Sequence, residues 1–218
     1  MKLSSSWARF AILIASLSTF AASATARTIV LTDQDCEQMA AISADAPRMS
    51  WAGYPYGAAQ FTNHEFVLTG KQAFLIRFPL DRIPAGQRIT KAEWIVQHLS
   101  VYPAGGTRLQ VRRLLKEWGP GVSHQYRMVR PERVEWHTPG ARGLGQDRAT
   151  EATATATIKG AGEQVFNVTE DVELWHKRAV PNHGWILTVE EPDIYVRLPS
   201  PFYNAPKGWK LRITFEPE

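Results

Sequence analysis

The chain has 218 residues, 44% of them hydrophobic, and its 25 basic and 21 acidic side chains give a formal net charge of +4. This mild charge argues against a general nucleic-acid-binding protein. The single cysteine, Cys36, excludes an intramolecular disulfide, so the fold must rely on a hydrophobic core. Cys36 itself is expected to be buried and inert, because no partner motif surrounds it.

The first residues have the pattern of a secretory signal peptide. Two basic residues precede the apolar run at 10–20, which is too short to span a bilayer, and small residues follow in AASATA. Cleavage is expected after Ala26, with Ala24 as the alternative. Residues 1–26 are thus predicted to be removed, which lowers the formal net charge from +4 to +2. Residues 27–218 are predicted to form one exported domain, periplasmic or extracellular, without a membrane span.

Alternating apolar and polar residues dominate the rest of the chain. Six stretches have a clear period of two, which is typical of half-buried antiparallel strands, and three weaker stretches resemble them. In chain order, the predicted strands are residues 28–32, 72–78, 89–102, 107–115, 153–159, 163–169, 184–191, 193–199 and 210–216. Gly- and Pro-rich turns separate most of them. The pattern predicts an all-β fold, an antiparallel β-sandwich of jelly-roll type.

Two short helices are also predicted, at residues 35–44 and 169–178. In the second helix, Thr169 is placed as the N-cap, and the acids that follow it occupy the first turn, where carboxylates interact favourably with the helix dipole. Trp175 is expected to face the sandwich. The acid-rich stretch is therefore interpreted as a structural element and not as an active site.

The sequence contains no catalytic or metal-binding motif at a diagnostic spacing. It has no HExxH, no G-x-S-x-G and no Gly-rich nucleotide loop, and its histidines are dispersed. A carboxylate pair for glycoside cleavage stays open, because the separation of the two groups depends on the fold. No catalytic residue, metal ligand or cofactor is predicted. A structural calcium ion, with Asp33 or Asp147 as a ligand, is left open.

Aromatic residues are the remaining lead. Trp94, Trp118, Trp175 and Trp185 lie on or beside apolar strands and are predicted to be core. The candidate ligand-binding residues lie in two polar, turn-rich segments: Trp51, Tyr54 and Tyr56 in the first, and Tyr126, Arg127, Arg130, Trp136 and His137 in the second. Aromatic rings stack on the apolar faces of sugars, and arginines pair with hydroxyls or carboxylates. For any single residue, packing beneath a long loop is the alternative.

Charge is unevenly distributed. Residues 105–148 contain nine basic and four acidic side chains, whereas residues 149–218 contain seven basic and ten acidic ones. The basic half favours an anionic partner, such as a uronate or a sulfated glycan. The alternative is that these arginines only solvate strand faces.

Five motifs, in order, resemble the DNRLRE domain family. They are AFLIRFPLDRIPAGQRITKAEWIV, VRRLLKEWGPG, WHTPGARGLGQD, FNVTEDVELW with PNHGWIL, and RLPSP with KGWKLRITF, and they span about residues 73–215. The resemblance implies an extracellular, non-catalytic β-sandwich, related to a carbohydrate-binding module family that includes alginate binders. It transfers no catalytic residues. The chain departs from the family pattern in its aromatic N-terminal portion and in the arginine-rich extension after Trp118.

Three functions follow as hypotheses. The first is a secreted, non-catalytic carbohydrate-binding module for an acidic polysaccharide. The second is a structural or adhesive protein of the cell surface or matrix that binds other proteins, for which a large, flat apolar patch would be typical. The third is a polysaccharide lyase or hydrolase, which requires reacting groups in a cleft.

Overall fold

The computed structural model describes residues 25–53, 65–191, 193–199 and 209–218, with only the backbone described at 51–53 and 65. Most of the predicted signal peptide lies outside the described residues. Within them, the chain is built of strands, one α-helix and a 3-10 helix at Asp33–Asp35. In chain order, the elements are β1 (Arg27–Thr32), β2 (Gln38–Ser43), β3 (Trp51–Gly53), β4 (Glu65–Leu68), β5 (Gln72–Arg77), β6 (Gln87–His98), β7 (Ser100–Tyr102), β8 (Thr107–Arg113), β9 (Tyr126–Met128), β10 (Val134–Glu135), β11 (Ala154–Ile158), β12 (Gly162–Asn167), α1 (Thr169–His176), β13 (Trp185–Val189), β14 (Tyr195–Pro199) and β15 (Trp209–Pro217).

The strands form two main antiparallel sheets. The four-stranded sheet has the order β1-β15-β6-β12, and the six-stranded sheet has the order β11-β8-β13-β5-β2-β3. A three-stranded sheet, β4-β14-β7, continues from the end of β6, and β9 and β10 form a separate two-stranded ribbon. Each stretch predicted from alternation contains a strand. The predicted stretch at 89–102 divides into β6 and β7.

Aromatic side chains from the two main sheets meet in the core. Trp94 of β6 stacks on Trp185 of β13, with ring centroids 5.7 Å apart and an interplanar angle of 16°. Phe74 of β5 stacks on Trp209 of β15, with centroids 4.2 Å apart. The core predicted for Trp94 and Trp185 is confirmed, because both are fully buried. The all-β sandwich is confirmed, and its jelly-roll connectivity stays a prediction.

The prediction of a helix at residues 35–44 is wrong. Residues 38–43 form strand β2, which pairs with β5 from Gln38↔Arg77 to Ser43↔Gln72. Met39 and Ala41 face the sandwich core, whereas Ala40 and Ile42 belong to a second apolar cluster on the opposite face. A strand that is buried on both faces loses its alternation, and a short apolar run of this kind cannot be distinguished from a helix by periodicity.

The second predicted helix is confirmed as α1, but it begins one residue earlier than an N-cap at Thr169 implies. Val168, not Thr169, is the N-cap, and the Thr169 hydroxyl instead accepts a 2.9 Å hydrogen bond from the Ala92 backbone N–H of β6. The helix acid Asp171 is buried, and it accepts hydrogen bonds from Trp185 Nε1 at 2.8 Å and Thr153 Oγ1 at 2.6 Å. No helix in the described part of the chain has the length and apolarity needed to cross a membrane.

A long loop covers the outer face of the six-stranded sheet. Residues 114–148, called here the covering loop, contribute the loop half of the second apolar cluster. The members of the cluster are Ala40, Ile42, Ala73, Leu75 and Ile186 from the sheet, and Leu114, Trp118, Val122, Trp136 and Ala141 from the loop. The six-stranded sheet is therefore apolar on both faces where the loop lies on it, and β5 and β13 carry nearly continuous apolar residues for that reason.

Candidate functional site

The first group of predicted ligand-binding residues is placed only in part. Trp51 is the first residue of β3, the edge strand of the six-stranded sheet, and its backbone pairs with Ala41 of β2. Tyr54 and Tyr56 lie outside the described residues. This half of the predicted site stays a prediction.

The second group contains one residue that cannot contact a ligand. Trp136 is only 3% exposed, and its indole Nε1 donates a 2.9 Å hydrogen bond to the Ser123 carbonyl. The expectation of an exposed ring is wrong. The reason is that the covering loop has to bury an apolar side against the sheet, and Trp136 belongs to that side together with Trp118. Packing beneath a long loop is the alternative that holds for Trp136.

Tyr126 forms a pair on the β9–β10 ribbon with Arg133, which is not among the predicted ligand-binding residues. The Arg133 guanidinium lies 5.2 Å from the centroid of the half-buried Tyr126 ring. An arginine at this distance over a tyrosine face makes a cation–π contact. The pair therefore places a positive charge over one face of the aromatic ring. Arg133 lies in the ribbon turn, directly before β10, and the ribbon is visible only in the fold, so sequence spacing did not indicate this arginine.

The remaining predicted residues lie around the same ribbon. Arg127 donates from Nη1 to the Glu117 carbonyl at 2.5 Å, which joins the ribbon to the start of the covering loop. Arg130 is exposed at the ribbon turn, with no hydrogen-bond or ion-pair partner among the described residues. The His137 side chain is also exposed, just beyond β10. The structure thus places Tyr126, Arg127 and Arg130 on one ribbon, with His137 beside it.

A buried carboxylate holds the loop that follows this ribbon. Asp147 is fully buried, and its oxygens accept backbone N–H bonds from His137 and Thr138, both at 2.8 Å, and from Gly143 at 3.1 Å. This contact set gives Asp147 a structural role as an anchor of the loop. The other residue considered for calcium, Asp33, is buried, and its burial raises the pKa of its carboxyl group. The described residues contain no group of three or more His, Cys, Asp or Glu side chains that could hold a metal ion.

The cysteine has the inert environment that the sequence predicts. Cys36 is 2% exposed, and its thiol donates to the carbonyls of Gln38 at 2.9 Å and Arg77 at 3.2 Å. Burial raises the pKa of the Cys36 thiol far above its ordinary value. A thiol that stays protonated is a poor nucleophile and a poor metal ligand.

Polar side chains occupy the part of the six-stranded sheet beside the covering loop. Gln110 of β8 is paired with Thr155 of β11 on one side and with Thr188 of β13 on the other, so these three side chains share the outer face. Arg112, two residues along β8, lies on the same face and donates from Nε to Gln110 Oε1 at 3.3 Å. Arg108 donates to Thr155 Oγ1 at 3.4 Å. Gln110 is itself buried, so the row offers the guanidinium groups of Arg108 and Arg112 and the threonine hydroxyls, which are groups of the kind that bind sugar hydroxyls and carboxylates.

Most basic side chains in this region have no carboxylate partner. Of the nine between residues 105 and 148, Arg113 forms an ion pair, with its Nε 3.7 Å from Asp171 Oδ1. Within the described ranges, none of the other eight has a carboxylate oxygen within 4.0 Å. Several of these arginines donate instead to neutral carbonyl or hydroxyl oxygens. Their positive charge is therefore available to an external anion.

Two exposed tyrosines, neither of them among the predicted ligand-binding residues, form a separate surface. Tyr102 of β7 and Tyr195 of β14 are directly paired in the three-stranded sheet, with ring centroids 6.4 Å apart. Their exposed fractions are 68% and 51%, unusually high for such large rings. A signal for Tyr195 was present in the sequence, because alternation places it on the solvent side of its predicted strand. An aromatic ring on that side is more informative than one in a loop.

Two grooves flank α1, away from the ribbon. One has a volume of about 1040 Å³ and includes Arg77, Trp175 and Arg178 in its lining. The other, of about 660 Å³, includes the acids Asp171 and Glu173. Asp171 is occupied by hydrogen bonds from Trp185 and Thr153, and Glu173 forms an ion pair of 2.7 Å with Lys177. The two acids thus have structural partners already, and neither groove contains the Tyr126–Arg133 pair.

Comparison of the sequence with protein-family models and with curated proteins finds no match. The fold and the surface define an antiparallel β-sandwich whose six-stranded sheet carries a basic, partly aromatic outer layer. The resemblance to DNRLRE domains stays a prediction from the quoted motifs.

Proposed function

We propose that this protein is an exported, non-catalytic binding protein for acidic polysaccharides. The ligand-binding surface consists of the β9–β10 ribbon, with Tyr126, Arg127, Arg130 and Arg133, and the polar row on β8 beside the covering loop. The observation that carries the proposal is the set of eight basic side chains in residues 105–148 that have no carboxylate partner in the described structure.

The chemistry of the surface fits a charged sugar better than a neutral one. A guanidinium group binds a carboxylate or sulfate through two parallel N–H donors, and a neutral glycan offers no such acceptor. The half-buried Tyr126 ring carries Arg133 over one face, so the exposed part of the ring and a positive charge lie together and can contact a pyranose ring and its acidic substituent. The resemblance to DNRLRE domains and the predicted signal peptide are consistent with this function, since both imply a protein that acts outside the cytoplasm.

Affinity electrophoresis tests the proposal. The protein, without residues 1–26, is run through native gels that contain alginate, polygalacturonate, a sulfated glycan or a neutral glucan. We expect retarded migration in at least one acidic gel and none in the neutral gel. Added salt is expected to weaken the retardation, because the contacts are between exposed charges. Unretarded migration in every acidic gel at low salt contradicts the proposal.

A pair of double variants locates the surface. Arg130→Gln with Arg133→Gln removes two positive charges from the ribbon, and we expect roughly a tenfold or greater loss of affinity. Arg88→Gln with Arg212→Gln removes the same charge from the four-stranded sheet, where both residues are exposed. Equal losses in the two double variants mean that only net charge matters, and the ribbon is then not the site.

One observation favours the second candidate function, a structural or adhesive protein that binds other proteins. The Tyr102–Tyr195 pair is exposed on the three-stranded sheet, and tyrosine is common at the centre of protein interfaces. Replacing both tyrosines by serine separates the two functions. Unchanged polysaccharide retention leaves the pair available to a protein partner, whereas a loss of retention assigns it to the sugar-binding surface.

A further inference from the structure

Three arginines that the ribbon does not contain come together where the covering loop ends. Arg112 projects from the outer face of β8, and its Nη1 donates to the Ala149 carbonyl at 3.2 Å and to the Thr150 carbonyl. Arg148, the residue before Ala149, forms an antiparallel bridge with Leu114, so its side chain leaves the same face of the sheet. Arg142 extends from the covering loop and donates from Nη2 to the Gly70 carbonyl, and its guanidinium is near enough for its charge to act on Arg148.

The charges of these three side chains act on one another. Burial, followed by the positive charges of Arg112 and Arg142, lowers the pKa of the Arg148 side chain to about 10. Asp147 opposes this shift, but it is the smallest of the four influences. Its carboxylate is also occupied by three backbone N–H groups, so it does not pair with Arg148.

The Arg148 guanidinium is short of acceptors. It makes no hydrogen bond or ion pair with any described residue, and its Nε is buried without a partner. A half-buried guanidinium without acceptors, next to two further positive charges, destabilises a folded protein unless something compensates it. Gln110 Oε1 accepts from Arg112 Nε at 3.3 Å, which fixes the direction of that guanidinium but adds no negative charge.

We propose that Arg112, Arg142 and Arg148 form a subsite for a single anionic group, a carboxylate or a sulfate. The inference rests on the proposed function and deepens it, because it assigns to one place on the surface the recognition of the charged substituent of the sugar. Arg142 is exposed and gives the anion access, and Arg112 and Arg148 are half-buried and supply donors from the sheet side. A guanidinium fork is pre-organised for planar recognition of such groups.

Thermal unfolding with inorganic sulfate as the probe tests the subsite directly. Wild type, Arg148→Met, Arg142→Gln and the control Arg212→Gln are each unfolded in sodium sulfate and in sodium chloride of the same ionic strength. Arg212 is a suitable control because it is exposed and because its partner Glu93 keeps a second ion pair, with Lys91 at 2.7 Å. Sulfate stabilises folded proteins generally by exclusion from their surface, and this general effect is shared by all four proteins.

We expect the sulfate-induced rise in Tm to be about 2–4 °C larger in wild type and Arg212→Gln than in the two subsite variants. In chloride, Arg148→Met is expected to unfold at the same temperature as wild type or higher, because it removes a repelled charge. A merely structural arginine would give a lower Tm there. The same sulfate response in all four proteins overturns the subsite. Should Arg148→Met fail to fold, the exposed Arg142→Gln variant decides the question alone.

Two further comparisons distinguish a failure of the subsite from a failure of the proposed polysaccharide binding. Galacturonate trisaccharide, acetate and sulfate are compared as stabilising ligands, which shows whether the subsite binds a carboxylate, a sulfate or both. A sulfate response that depends on Arg142 and Arg148, without retention in any polysaccharide gel, supports the subsite and contradicts the polysaccharide function. Retention that survives Arg142→Gln and Arg148→Met but not the ribbon double variant supports the function and contradicts the subsite.

Discussion

The two outer faces of the sandwich differ in how they use basic side chains. On the four-stranded sheet, Arg88 pairs with Glu216, and Lys91 and Arg212 both pair with Glu93, at 2.7 and 3.4 Å. On the other side, Arg77 at the end of β5 also pairs with a carboxylate, that of Glu37, at 3.0 Å. From β8 through the covering loop, however, the arginines other than Arg113 donate to neutral carbonyl or hydroxyl oxygens, contact the Tyr126 ring, or have no described partner.

The difference shows which arginines merely solvate a strand face. A charged residue on an exposed strand meets an opposite charge across the ladder, and the resulting pair contributes little to stability. Arginines without a carboxylate contact among the described residues have no ion pair to give up, so an external anion gains more from them. The basic character of residues 105–148 thus follows from the missing partners as much as from composition.

The largest effect is expected from disrupting the apolar cluster that holds the covering loop, and with it the arginines, on the six-stranded sheet. Trp136→Ala leaves a cavity between the covering loop and the six-stranded sheet, and we expect it to lower the free energy of unfolding by about 3–5 kcal/mol. Val165→Thr, a change on β12 where the side chain is 41% exposed, should stay within about 0.5 kcal/mol of wild type. Urea unfolding followed by tryptophan fluorescence and circular dichroism measures both values.

The retardation of Trp136→Ala in polysaccharide gels is measured as the second part of this test. If the indole only supports the loop, then Trp136→Phe, which keeps an aromatic ring in the layer, should lose less stability and retain binding. A Trp136→Ala variant that unfolds like wild type would show that the covering loop does not depend on its apolar layer.

A smaller effect is expected at the anchor of the same loop. Asp147→Ala leaves the backbone N–H groups of His137, Thr138 and Gly143 without their acceptor, and we expect a loss of about 2–3 kcal/mol. The matched change on the other face, Glu216→Ala, removes an acid from an exposed pair and should cost less than about 1 kcal/mol. Chemical denaturation of both variants gives the comparison. Equal losses would mean that the carboxylates of the two faces have the same structural importance.

Alternation in the sequence predicted ten of the fifteen described strands and the core tryptophans, because each predicted strand has at least one face in contact with the main core. Alternation did not indicate β3, β4, β9 and β10, which have only two to four residues each. It failed at β2, where Ala40 and Ile42 are covered by a loop whose position depends on residues about 75 or more positions away. The burial of Trp136 depends on the same long-range packing. It could not be predicted from the neighbouring residues, which are polar and give no information about the sheet beneath the loop. Arg133, Arg142 and Arg148 were missed because the absence of a carboxylate partner is a three-dimensional property.

The smallest expected effect is a pH dependence of stability, which should differ between the two faces of the sandwich. A hydrogen bond from Lys91, opposed by burial and aided by the charges of Lys91 and Arg212, lowers the pKa of Glu93 below its ordinary 4.5. Because the folded-state pKa is the lower one, this contribution to stability is present above the unfolded-state value of 4.5 and is lost as the pH falls through the folded-state value.

Glu93→Gln should therefore lower the free energy of unfolding at pH 7 by less than about 1 kcal/mol, and its difference from wild type should be smaller at pH 3. The ribbon variant Arg130→Gln with Arg133→Gln breaks no carboxylate pair, so its difference from wild type should not change between these two pH values. Urea unfolding at each pH measures the four differences. A ribbon variant with the acid dependence of Glu93→Gln would reveal an ion pair on the covering loop, and the contrast between the two faces would then fail.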